Sequence, residues 1–208
     1  MTWKLLSSLL LFACLGLAEH KLESAGTPPA EVPAPIAALL QKEGHRILGD
    51  DGKPVLEIWL RNELPSGRTT KEENATFDSI PHGALLGVLR FPVAGTDRRG
   101  QSIKAGIYTL RYSLFPINGD HQGVAPQRDF LLLSPISEDT DPTSTPDFKT
   151  LTTLSMKASR TPHPAVLSFW KAEAGGKPGL EQDGEDWVLR AKIGDTLVAI
   201  IVVGQVEG

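Results

Sequence analysis

Residues 118–129 read Asn-Gly-Asp-His-Gln-Gly-Val-Ala-Pro-Gln-Arg-Asp. This is the richest stretch of the chain in groups that could bind or react. Asp120 and His121 offer a carboxylate and an imidazole, both of which ligate metals. Arg128 offers a planar fork that suits a carboxylate or phosphate, and Asp129 adds a second carboxylate. Adjacent residues rarely serve as two ligands of one ion. No third ligand is close in sequence, and His82 and His163 join only if folding brings them. No metal site is therefore assigned. Three uses stay open for Asp120, His121, Arg128 and Asp129. They form a hairpin loop held by an Arg128–Asp129 or Arg128–Asp120 pair, or a binding loop, or part of a hydrolytic site. Loops carried on rigid scaffolds are common places for function.

Elsewhere the chemistry is thin. The Gly-x-Ser-x-Gly elbow, the His-Glu-x-x-His pair, the Walker loop and Gly-x-Gly-x-x-Gly are all absent. Glycoside hydrolysis needs only two carboxylates, which no short motif reveals. Asp183, Glu185 and Asp186 cluster around Gly184, a pattern that reads as a solvated turn. Trp59 and Trp170 would stack sugars if they faced solvent, but large aromatics more often pack in a core. No catalytic residue and no cofactor is assigned.

The N-terminus speaks of address. Lys4 supplies a positive charge, residues 5–17 are almost wholly apolar, and Gly16 and Ala18 put small residues at −3 and −1 of a cleavage site. This is the pattern of a secretory signal peptide over residues 1–18. The alternative is a lipobox ending at Cys14, which would make the chain a lipoprotein anchored through that residue. The apolar run is shorter than the roughly 20 residues a bilayer span needs. Cys14 is the only cysteine, so cleavage after Ala18 leaves no disulfide framework. That favours a bacterial envelope, periplasmic or extracellular. Asn74-Ala75-Thr76 matches the glycosylation tripeptide, which means little in a bacterial chain. Without Lys4 the 21 basic residues become 20 against 25 acidic ones, with no basic cluster. Nucleic acid is disfavoured as a partner.

The elements that must position these groups follow from hydrophobic period. Residues 19–36 are rich in proline and read as a flexible tether. A short helix is expected over 36–42. Residues 46–48 and 55–60 flank Asp51-Gly52 as a β-hairpin, with Leu56, Ile58 and Leu60 on one face and Glu57 and Trp59 on the other. Strands are expected at 84–91, 107–115, 130–133, 165–170, 187–193 and 197–203. In 107–115 Tyr108, Leu110, Tyr112 and Leu114 share one face, leaving Thr109, Arg111 and Ser113 for a solvated one. One clear helix is expected over about 146–159, capped by Ser144 or Thr145. The sum is a mainly β, antiparallel β-sandwich or jelly-roll-like domain over 37–208.

The run Gly100-Gln101-Ser102-Ile103-Lys104-Ala105-Gly106-Ile107-Tyr108-Thr109-Leu110, followed by Pro116, carries a G-x-Y-x-L…P pattern. It is followed by Gly123-Val124-Ala125-Pro126-Gln127-Arg128-Asp129-Phe130-Leu131-Leu132. This segment resembles an uncharacterised family of exported bacterial proteins, a domain of unknown function. The resemblance implies a β-sandwich and no assigned activity, so no functional residue is carried over from it. The expectation for function is a non-catalytic binding or accessory module of the envelope, acting on an envelope protein or a small ligand. The alternative is a metal-assisted or carboxylate-based hydrolase with its site near 118–129.

Overall fold

A computed structural model describes residues 19–68, 71–115 and 127–204. Residues 1–18, on which the signal-peptide and lipobox readings rest, lie outside the described residues, as do Asp120 and His121. The protein is mainly β with one short amphipathic helix, as its periodicity predicts.

Ten strands form one sheet in which every pairing is antiparallel. They are β1 (Lys21–Gly26), β2 (Gly44–Leu48), β3 (Pro54–Leu60), β4 (Leu85–Phe91), β7 (Gly106–Leu114), β8 (Asp129–Pro135), β9 (Val166–Lys171), β10 (Gly179–Asp183), β11 (Asp186–Ile193) and β12 (Thr196–Val203). A small hairpin of β5 (Gly95–Thr96) and β6 (Ser102–Ile103) stands apart. The order is β1-β2-β3-β4-β7-β8-β9-β12-β11-β10. The sheet rolls until its edge strands β1 and β10 approach each other, so it is nearly a barrel. Its two halves thus face one another across a single core. Leu56, Ile58 and Leu60 from β3 meet Leu110 and Tyr112 from β7, and Leu189 and Ile200 from β11 and β12. The Asp51-Gly52 turn forms as its sequence requires, with Gly52 at φ 72°.

Two expectations change. Residues 19–36 are not a loose tether. Lys21–Gly26 pairs with β2, and residues 29–40 fold back over the sheet around a one-turn helix, α1 (Ala34–Ala37). Val32, Ile36 and Leu40 pack on Trp59, Leu85 and Val88. The reason is that β3 and β4 carry large apolar side chains, Trp59, Leu85 and Val88, on the outer face as well, and these need a cover. Trp59 is accordingly a core residue, and its indole N–H donates to the Gly26 carbonyl at 2.8 Å. Glu57 is buried beside it, bridged by Arg46 and Arg90.

The second change is on β7. Thr109, Arg111 and Ser113 are fully buried rather than solvated. The chain after β8 returns across this face and ends in α2 (Phe148–Ser159), whose Leu151 packs with Phe130, Leu132 and Val166. The N-cap of α2 is Asp147, not Ser144 or Thr145, and its carboxylate accepts from the Thr150 N–H at 2.7 Å. The polar face of β7 is satisfied by that returning chain. Arg111 bonds both carboxylate oxygens of Asp139, at 2.8 and 2.6 Å. It also donates to the carbonyls of Gly83, Asp141 and Ser144.

Candidate functional site

At the rim where β7 gives way to β8, a cleft of about 320 Å³ opens between the sheet, residues 68–82 and the start of α2. Tyr112 and Leu114 form its floor from the end of β7, and Arg128 flanks β8. Arg68, Glu72 and His82 come from the long β3–β4 connection, and Phe148 from the first residue of α2.

The β3–β4 connection is held in place by plugging the barrel. Phe77 stacks on Phe169 at 4.9 Å and meets Tyr112 edge-on at 6.2 Å, while Ile80 is fully buried beneath. Backbone bonds from Gly67 and Arg68 to the Ser79 carbonyl close the loop. The Thr76 N–H donates to Asp129 at 2.6 Å. Gly83 then carries the chain at φ 79° against the backbone of Thr145 and Pro146, where a Cβ would lie 2.5 Å from the Pro146 oxygen. Only glycine fits there, and the close approach sets His82 beside Phe148, with ring centroids 6.2 Å apart.

Both arginines are anchored by carbonyls rather than neutralised by carboxylates. Arg68 donates Nε and Nη2 to the Asp78 and Phe77 oxygens, and its guanidinium lies 6.0 Å from the Tyr112 ring centre. Arg128 donates Nε to the Phe115 carbonyl at 2.7 Å and Nη1 to that of Glu73. Its one ion-pair contact among the described residues is with Glu72 at 3.8 Å, a loose one. Arg46, Arg90, Arg98, Arg99, Arg111 and Arg190, by contrast, all pair with carboxylates.

Behind the cleft, the Tyr112 hydroxyl donates to Asp129 at 2.7 Å. Burial, and next the bond to Asp129, push this phenol well above the ordinary tyrosine range, so it stays protonated. His82 is pushed below its ordinary value by burial, although the Asp147 carbonyl and carboxylate pull the other way. Its Nδ1 lies 3.2 Å from the Ser113 hydroxyl, and its buried Nε2 has no hydrogen-bond partner.

Of the candidate residues read from the sequence, Arg128 lines the cleft and Asp129 stands directly behind it. They do not pair with each other. As consecutive residues entering a strand they point to opposite sides, and Asp129 turns inward to Tyr112 and Thr76. His82 lies at the cleft, whereas His163 sits in the turn after α2, with its backbone bonded to Ser159 and Thr161. No group of three or more His, Cys, Asp or Glu suited to a metal occurs among the described residues. Asp183 and Asp186 flank the β10–β11 turn, where Asp186 pairs with Arg98. Trp170 is partly buried against Val188, Ala199 and Ile201. Arg68, Tyr112, Ser113 and Phe148 were not legible as site residues, because they come from three separate parts of the chain: the β3–β4 connection, β7 and α2.

Two other hollows are less equipped. One, at His20, Phe91 and Val202, is mostly apolar, and one along Ile107 has Arg90 already paired with Glu57. Among the described residues no helix is long and apolar enough to cross a membrane. No family model, curated protein or solved structure matches this chain.

Proposed function

We propose that this chain is an exported binding module whose ligand seats in the cleft beside Arg128. One observation carries the reading. Two carbonyl-anchored arginines, a half-buried histidine and an aromatic rim converge on a single cleft at the edge of the rolled sheet. Ligand sites commonly take this form: concave, partly apolar, with a few convergent polar groups on a rigid scaffold. The export address rests on residues 1–18, and kinship with the uncharacterised exported family rests on residues 100–135. Sequencing the N-terminus of the exported protein separates a start at Glu19 from a lipidated Cys14.

The test is a thermal-shift panel of divalent metals, glycans and small anions on wild type and Arg128→Ala. A ligand at 100 times its dissociation constant adds about 2.7 kcal/mol. A shift of several degrees that Arg128→Ala abolishes supports the reading. A panel without any shift turns the search to an envelope protein as the partner.

One contact favours a second reading, a hydrolase. The Ser113 hydroxyl and His82 are within hydrogen-bond reach, as a nucleophile and base would be. Against it, Ser113 is fully buried, so a substrate carbonyl has no path to its Oγ. Turnover of an ester or glycoside that is lost in His82→Ala would favour this reading over the first.

A further inference from the structure

We propose that the cleft binds a small organic carboxylate, its charged end held by Arg68 and Arg128 and its apolar end set against Phe148. The proposal rests on the binding-module reading and names its ligand class. Three observations carry it.

The first is hydrogen-bond accounting. Each guanidinium has five N–H donors in a fixed plane. Arg68 and Arg128 each commit Nε and one terminal nitrogen to backbone carbonyls. Those bonds fix the plane and leave the charge. The other terminal nitrogen of Arg128, Nη2, has no partner among the described residues, and Arg68, which also meets the Tyr112 hydroxyl, has no carboxylate partner among them. A carboxylate has two oxygens able to accept from two such donors, and charge-assisted bonds of this kind are the strong ones. The side chain in the cleft that competes is Glu72, which at 3.8 Å from Arg128 is an easily displaced rim contact.

The second is the rim. Phe148 is 43% exposed, one of two large hydrophobic side chains left so open among the described residues. It occupies the first position of α2, where the cap is supplied by Asp147, so the helix does not need it. With Leu114 across the cleft it makes an apolar wall beside the charged one.

The third is what the cleft refuses. The Tyr112 hydroxyl is committed to Asp129, so it adds no free donor for the many oxygens of a phosphate. The His82 Nε2, buried and unpartnered, gives at most one polar contact. About 320 Å³ holds a compact acid and excludes an extended polymer.

The experiment is isothermal titration of the purified full chain with benzoate, phenylacetate, acetate, inorganic phosphate and the neutral isosteres benzamide and phenylacetamide. The expected result is binding of the aromatic acids, at least tenfold weaker binding of acetate, and none of the amides. Arg68→Gln and Arg128→Gln should each weaken the aromatic acids at least tenfold. Arg68→Lys and Arg128→Lys keep the charge but lose the fork, and provide a second reading if a Gln variant fails to fold. Phe148→Ser, at an exposed site, should remove the preference for aromatic acids over acetate. Amides binding as well as acids, or phosphate binding alone, would overturn the carboxylate class and leave the binding-module reading intact. No binding by any member of the panel would overturn the carboxylate class and weaken the binding-module reading as well.

Discussion

Arg111 and Tyr112 are neighbours on β7 and face opposite sides of the sheet, and the polar clusters they belong to are built on opposite principles. Around Arg111 every donor is answered. Asp139 takes two bonds, three backbone carbonyls take the rest, and Thr109 closes the remaining side of the carboxylate. Its side chains Thr109, Arg111 and Asp139 are buried, and its product is a fixed path for residues 136–147. Around Tyr112 the arginines are held but not answered. Arg68 and Arg128 keep their charges without close carboxylates, and His82 keeps a bare nitrogen. A saturated buried network is what a fold needs. Donors that are rigid yet unused are what a ligand needs. The two clusters differ in how far their donors are satisfied rather than in residue type.

The comparison breaks most sharply on Asp139→Ala. It leaves the Arg111 charge buried without a partner and should cost about 3–5 kcal/mol, read by urea denaturation. A loss below about 1 kcal/mol would show that the returning chain does not depend on the pair. Tyr112→Phe should be intermediate, at about 1–3 kcal/mol, because Asp129 then loses a buried donor while the ring packing stays. Asp147→Ala removes the cap of α2 and should cost about 1 kcal/mol by the same measurement. Arg128→Gln should be milder still in stability, within about 1 kcal/mol, because its surroundings are partly wet. Its effect belongs in ligand affinity, and a stability loss as large as that of Asp139→Ala would erase the distinction between the two clusters.

Acid should act on the half-buried histidines. Burial lowers His20, His45 and His82 from the ordinary 6.5. The unfolded chain therefore takes up protons at higher pH than the folded one. Stability is full above 6.5 and falls as pH drops through the window beneath it. Urea midpoints on either side of that value check the direction, and His82→Gln should shallow the fall. A midpoint that rises in acid would contradict the burial of these rings.

Much of the fold was legible locally. The alternation of Tyr108, Leu110 and Tyr112 gave their strand and its core face, and Asp51-Gly52 gave a turn. Leu151 lies on the buried face of its helix as its spacing implies. Arg128 and Asp129 were legible as site candidates because they crowd one loop. Their division of labour was not, since strand geometry sends one outward and the other in. The supposed tether misled because proline content describes a chain's stiffness and says nothing of an uncovered apolar face waiting at Trp59, Leu85 and Val88.

What the sequence determined by itself was whatever depends on neighbours along the chain. That covers the strands with a clear apolar period between 46 and 203, the Asp51-Gly52 turn and the existence of a helix near 148–159, but not β1 or β10. Tertiary structure alone decided that the sheet would roll nearly closed and that the polar face of β7 would be buried. It alone brought Arg68, His82, Tyr112, Arg128 and Phe148, spread over eighty residues, to one cleft. The physical reason is that periodicity records which side of an element is apolar, whereas the partner that covers that side, and the donors left over once it is covered, are set by contacts between residues far apart in sequence.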